Sequence, residues 1–201
     1  MKVQIRFQKV ICMVMLITSA IFFVFALGLL TDMYHVYSAT EIGVRMSRDI
    51  FTEMQPLNKT IVSMSIVSIV LSALLFLTHT NKRRNYYISN YINIVLLSGA
   101  NVFFGIYSII NILKYKNIYF NEVLTDQVKE KWISKMEIYG DVLKFIDKTV
   151  WLDINIITSA LIIIASLLLI SNLIWKIILM KEEKSFLSSQ YKLMNKEEVL
   201  Q

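Results

Sequence analysis

The chain has 201 residues, of which 56% are hydrophobic, with one proline, five glycines and a net charge of +6. Its mean hydropathy is +0.56. This composition excludes an ordinary soluble domain and indicates an integral membrane protein.

Four stretches of the chain contain no Asp, Glu, Lys or Arg: residues 10–31, 60–81, 85–113 and 154–175. Each is long enough to cross a hydrocarbon core of about 30 Å, for which a helix needs about 20 residues. The stretches are too long and continuous for barrel strands. We therefore predict an all-α integral membrane protein: a four-transmembrane-helix bundle with extracellular helical extensions, forming one membrane domain over residues 1–201.

The first apolar stretch follows Lys2, Arg6 and Lys9, as in a secretory signal. It exceeds the roughly 7–15 apolar residues of a signal, so we predict that it remains as a membrane anchor. Cys12 within it is the single cysteine of the chain. An intramolecular disulfide and a cysteine-based metal site are thereby excluded.

The segment 32–59 ends in a periodic set of apolar residues: Met46, Ile50, Met54 and Leu57. Their spacing predicts a helix that leads into the second span. Pro56 falls within this pattern. Because proline lacks a backbone donor and disfavours helical angles at the preceding residue, we expect a kink or short break there.

Three consecutive cations, Lys82, Arg83 and Arg84, separate the second and third spans. If both termini are cytoplasmic, the inner segments are 1–9, 82–84 and 176–201, and they hold eleven cations and four acidic residues. The outer segments 32–59 and 114–153 then hold ten cations and eleven acidic residues. Since cations accumulate in short cytoplasmic loops, we predict cytoplasmic N and C termini and a cytoplasmic tail, 176–201. The triplet then marks topology and contacts lipid headgroups, and it is too small a surface for nucleic acid.

The third span carries a stripe of amide and small side chains, and the second and fourth spans carry similar residues. They are Asn90, Asn93, Asn101, Gly105 and Ser108 on the third span, Ser65, Ser68 and Ser72 on the second, and Asn155, Ser159 and Ser166 on the fourth. In lipid such residues let helices approach and hydrogen-bond to each other, which is the role we expect. A lining for a polar path is the alternative.

The segment 114–153 contains an apolar stripe at spacings of three and four, typical of an amphipathic helix. Its members are Leu124, Val128, Trp132, Met136, Tyr139, Leu143, Ile146 and Val150. We predict that this helix extends the third and fourth spans outward. Its apolar face must pack on the first outer segment or on a partner protein.

The tail places Leu187, Tyr191 and Met194 on one side of a possible helix. Two interpretations stay open for it. The helix lies at the membrane surface, or it is a docking peptide for a cytosolic partner.

The predicted spans contain few side chains that could carry chemistry. They have no Asp, Glu, Lys or Arg, and His79 is their single histidine. His35 and His79 are expected at opposite membrane faces, which argues against a haem or two-histidine zinc site. No nucleotide, phosphate or acyl-transfer motif is present. We therefore predict a protein that is not an enzyme and that binds no cofactor or metal.

Together these features predict a non-catalytic subunit or accessory partner of a larger membrane complex in the cell membrane. Abundant Ile, Asn and Lys suggest a bacterial plasma membrane. The expected partners are membrane lipid and another membrane protein or a second copy, not nucleic acid. Two alternatives are a channel or small-molecule transporter with an uncharged polar path, and a membrane sensor or immunity-type protein.

Overall fold

The computed structural model describes residues 2–31, 45–80, 88–123 and 149–198. Four long helices account for nearly all of them: α1 (Lys2–Leu30), α2 (Arg45–Thr80), α3 (Ile88–Ile118) and α4 (Val150–Glu198), with a π-helical turn Tyr119–Val123 extending α3. Each of the four is long and apolar enough to cross a membrane. The predicted all-α chain with four such helices is confirmed.

The helices form a bundle in which α1 packs on α2 and α4, and α3 packs on α4 and α2. Asn58 on α2 donates a hydrogen bond to the carbonyl of Leu29 near the end of α1. Thr78 near the end of α2 donates to Asn90 near the start of α3. Consecutive helices therefore run antiparallel.

The two ends of the bundle can be named by the residues that meet there. At the terminal end, Gln4 near the start of α1 contacts Asn172 near the middle of α4. At the loop end, Lys116 of α3 contacts Asp153 in the first turn of α4.

Each helix buries one narrow stripe and exposes the rest. Only 33% of the most apolar window is buried in α1, α2 and α3, and 39% in α4. The exposed remainder is largely apolar and includes Val14, Val70, Leu96 and Leu168. Contiguous apolar surface of this extent marks contact with lipid or protein, so the chain fits a multi-pass membrane protein.

Helix α2 continues through Pro56, so the short break predicted as one outcome is wrong, and the kink predicted as the other outcome stays a prediction. Pro56 itself is exposed, whereas Phe51, Met54 and Leu57 on either side of it are buried. A proline inside a helix costs about 3 kcal/mol. The packing of these buried neighbours offsets that cost and holds the helical path.

Helix α4 continues well beyond the bundle. Among the α4 residues up to 190, for which the structure describes burial, Lys176 is the last buried one and every residue from 180 to 190 is exposed; the helix ends at Glu198. We call residues 177–198 the α4 arm. At 1.5 Å per residue the arm is about 30 Å long. The arm contains no Pro or Gly and is continuous with the packed part of α4.

Candidate functional site: the polar interior

The interface of α1 and α2 contains three buried serines that bond to one another. Ser68 donates to the hydroxyl of Ser19 over 2.8 Å, and the hydroxyls of Ser19 and Ser72 lie 3.0 Å apart. All three side chains are fully buried. This cluster is a direct hydrogen-bonded link between two helices, and Ser19 is a member that sequence reasoning missed.

The polar side chains of α4 behave differently, because most bond to their own helix. Ser159 donates to the carbonyl of Asn155, Ser166 donates to the carbonyl of Ile162, and Asn155 donates to the carbonyl of Trp151. On α2, Ser65 likewise donates to the carbonyl of Val62. Such bonds satisfy the donor without joining two helices.

A row of buried polar groups on α3 and α4 has no hydrogen-bond partner within the described residues. The atoms are Ser98 Oγ, Asn101 Nδ2, Asn101 Oδ1, Ser108 Oγ and Asn155 Oδ1. Asn101 is fully buried, yet neither its Nδ2 nor its Oδ1 forms a hydrogen bond with any residue that the structure describes. An unpartnered buried amide costs roughly 1–3 kcal/mol in proteins, so this row is the least satisfied part of the interior.

Gly105 sets how α3 and α4 approach each other. A Cβ built on Gly105 would lie 2.9 Å from the carbonyl oxygen of Ser159 and 2.5 Å from Ile163 Cγ1. One turn toward the loop end from this contact, helical geometry brings Ser108 level with Asn155. One turn toward the terminal end lies Asn101. The unpartnered row thus follows the seam where these two helices are closest.

The two remaining amides predicted on the third span are close to the terminal end. Asn90 is buried and accepts a hydrogen bond from Thr78 on α2. Asn93 is half-buried. Asn90 therefore joins two helices, whereas Asn93 lies at the edge of the packed face.

A second polar cluster, which sequence reasoning missed, is at the terminal end. Gln4 donates to Gln8 over 3.2 Å and to Asn172 of α4 over 3.4 Å. Lys176 lies one turn beyond Asn172, and its Nζ is 4.7 Å from the centre of the Tyr91 ring. Lys176 is only 2% exposed. Gln4 and Gln8 are four residues apart, as are Asn172 and Lys176, and this spacing was the sequence signal that could have predicted the cluster.

The loop end is closed by aromatic packing and an ion pair. The rings of Phe51 and Trp151 are 5.0 Å apart, and the Tyr119 ring meets Trp151 edge-on at 6.1 Å. Lys116 pairs with Asp153, which also accepts a hydrogen bond from Thr149 over 3.1 Å. Side chains from α2, α3 and α4 thus meet around Trp151.

Several predicted residues lie outside the described part of the chain. They are Lys82, Arg83 and Arg84 of the cationic triplet, and Leu124, Val128, Trp132, Met136, Tyr139, Leu143 and Ile146 of the apolar stripe. Within the described ranges, no three His, Cys, Asp or Glu side chains come together as metal ligands. Cys12 is buried there as a free thiol.

The fold and interior define a helical bundle that fits a multi-pass membrane protein, with its polar groups gathered on the inner helix faces. No family model matches the chain, and no curated protein or solved structure matches it.

Proposed function

We propose that the protein is a non-catalytic, membrane-embedded subunit or accessory partner of a larger assembly, and that the α4 arm engages the partner. The observation that carries this proposal is the arm itself. It continues α4 beyond the packed bundle and leaves Phe186 and Leu187 61% and 58% exposed. The bundle supplies anchorage, and the arm supplies a surface outside it.

The energetics of a projecting helix support a partner. Helices that pack on nothing are marginal in water, because most helical stability in proteins comes from packing an apolar face. Covering Phe186 and Leu187 would contribute about 1.5–3 kcal/mol for each side chain. The unbroken connection to the bundle gives a bound partner a fixed position relative to the spans.

We propose further that the spans insert with both termini in the cytoplasm, which places the arm there, and that outer extensions lie at the loop end. The charge asymmetry between short segments supports this orientation. Single reporter cysteines at Lys114 and Ser189, in a Cys12→Ala background, test it by labelling intact cells with an impermeant maleimide. We expect labelling at position 114 alone. Labelling at 189 from outside would reverse the orientation.

Purification in mild detergent at native expression tests the subunit proposal. We expect the wild-type chain to elute with a second protein or as a multiple of its own mass. The double variant Phe186→Ser/Leu187→Ser should lose this association and keep its helical content. Lys181→Ser/Lys184→Ser, a matched change on the same arm, should retain it. A wild-type chain that elutes alone as a monomer would contradict the proposal and favour a sensor or immunity-type protein with a transient partner.

A second candidate function is a channel or transporter with an uncharged polar path. The unpartnered row of Ser98, Asn101, Ser108 and Asn155 favours it, because water or a neutral solute along the α3 and α4 seam would satisfy these groups. Solute flux into liposomes containing purified protein, compared with Asn101→Leu at equal assembly, tests it. Flux in the wild type that changes in the variant would replace the subunit proposal. Absence of flux in both would remove this candidate.

A further inference from the structure

We propose that the outward face at the start of α1 is a binding surface for anionic phospholipid headgroups, formed by Arg6 and Lys9. The outward face is the side of α1 that is turned away from α2 and α4. The inference rests on insertion of the spans into a bilayer, which is part of the proposed function. It is independent of the α4 arm and of the partner proposed for the arm.

The periodicity of α1 places its first cations on one side of the helix. Lys2, Arg6 and Lys9 follow one another at spacings of four and three, so the three positions share a face. Arg6 and Lys9 are exposed, whereas Gln4 and Gln8 on the opposite side are buried. In a bilayer the face that carries the two exposed cations is the one that meets lipid.

An aromatic pair beside this face indicates its depth in a bilayer. Phe7 meets Trp175 of α4 edge-on, with the ring centres 6.2 Å apart, and both side chains are partly exposed. Trp175 ends the charge-free stretch 154–175, and tryptophan is enriched where acyl chains give way to headgroups. Arg6 and Lys9 are within two residues of Phe7 along α1. The two cations are therefore expected at headgroup level.

Apolar side chains accompany the cations on the outward face. Val3 and Val10 are three residues before and four residues after Arg6, and they are 72% and 57% exposed. The stems of arginine and lysine lie along apolar surface of this kind while their charged ends reach a polar layer. A phospholipid fits both parts, because its phosphate meets the cations and its acyl chains meet the valines.

The charge of the surrounding helices also favours an anionic lipid. Residues 2–30, 61–80 and 88–118 contain no Asp or Glu, and α4 has none between Asp153 and Glu182. At the loop end, by contrast, Lys116 is paired with Asp153. Cations that stand at a membrane surface in a region poor in acidic residues attract anionic lipid.

The test reads the emission of Trp175 in vesicles that contain equal amounts of phosphatidylglycerol and phosphatidylcholine. In one preparation the phosphatidylglycerol carries brominated acyl chains, and in the other the phosphatidylcholine does, so the two compositions match. Bromine quenches a tryptophan that it contacts, and Trp175→Phe gives the share of quenching due to Trp175. We expect brominated phosphatidylglycerol to quench more, with a relative affinity about fivefold above that of phosphatidylcholine.

Paired variants locate the effect on α1. Arg6→Gln/Lys9→Gln should bring the relative affinity close to one and keep the helical content, because both side chains are exposed. Arg6→Lys/Lys9→Arg keeps the charge and should match the wild type. Lys181→Gln/Lys184→Gln removes two exposed cations from the α4 arm and should also match it. If the double glutamine variant fails to fold, Arg6→Gln compared with Arg6→Lys still decides.

The outcomes separate this surface from the subunit proposal. Equal quenching by the two brominated lipids, or a preference that survives in Arg6→Gln/Lys9→Gln, would overturn the surface and leave the subunit proposal standing. Quenching by neither lipid would overturn both the surface and the insertion of the spans. Loss of a co-eluting protein from Arg6→Gln/Lys9→Gln, with quenching unchanged, would assign the cations to a protein partner and overturn the lipid surface.

Discussion

Gly105 packs against Ile163 so closely that a Cβ at position 105 would lie 2.5 Å from Ile163 Cγ1 and 2.8 Å from its Cδ1. The carbonyl oxygen of Ser159, which cannot turn away, would lie 2.9 Å from the same Cβ. Gly105→Ala therefore forces α3 and α4 apart. Overpacking of this kind costs about 1–3 kcal/mol.

The matched control for Gly105→Ala is Gly99→Ala on the same helix. A Cβ at Gly99 meets nothing within 4 Å, and alanine favours helix over glycine by about 1 kcal/mol. Unfolding by dodecyl sulfate in bicelles should show Gly105→Ala destabilised and Gly99→Ala unchanged or stabilised. Equal effects at the two positions would show that α3 and α4 are not in contact at Gly105.

Asn101→Leu is expected to stabilise the isolated chain. The two side chains are similar in shape, and leucine removes an amide whose Nδ2 and Oδ1 are both buried without partners among the described residues. The gain should be about 1–3 kcal/mol in the free energy of unfolding. Asn111→Leu is the control, because Asn111 bonds to the carbonyl of Tyr107 over 2.8 Å and should not gain stability. A loss at Asn101 would mean that water, a ligand or a second copy satisfies the amide.

The serines between α1 and α2 should act as a unit. Ser19→Ala removes both contacts of the cluster, to Ser68 and to Ser72, and should lower the free energy of unfolding by about 0.6–2 kcal/mol. Ser63→Ala is a suitable control, because Ser63 is exposed and bonds to the carbonyl of Lys59 in its own helix. A double-mutant cycle between Ser19 and Ser68 measures the coupling. Zero coupling would contradict a link between the helices.

The helices themselves were predictable, because lipid requires long runs without charge and each run satisfies its own backbone. The choice of partner for each polar side chain was not predictable. Ser19 and Asn101 are both polar residues in apolar helices, yet Ser19 meets two serines whereas Asn101 meets no hydrogen-bond partner in the described part of the chain. That difference depends on how each helix is rotated in the bundle, and composition does not encode the rotation.

The burial of Lys176 illustrates a second limit. A cation directly after an apolar run normally ends a span, which placed Lys176 in the tail. In the fold Lys176 is buried, the Tyr91 ring of α3 lies 4.7 Å from its Nζ, and Gln4 of α1 reaches Asn172 one turn away. The pairs Gln4–Gln8 and Asn172–Lys176 share one face of their helices, but only tertiary contact brings the two faces together.

Trp151 should be the most sensitive single residue at the loop end. It is 5% exposed and touches Phe51 of α2 and Tyr119 beyond α3, so its ring joins three helices. Trp151→Ala removes that ring and leaves a cavity, with an expected loss of about 3–5 kcal/mol in the free energy of unfolding.

Trp175→Ala is the comparison for Trp151→Ala, because Trp175 is 40% exposed and meets the Phe7 ring edge-on at 6.2 Å. Its loss should be less than half that at Trp151, since the side chain already leaves much of its surface outside the bundle. Unfolding in dodecyl sulfate, followed by circular dichroism, measures both variants without depending on tryptophan emission. Similar losses for the two variants would mean that the Phe51, Tyr119 and Trp151 cluster does not hold the loop end together.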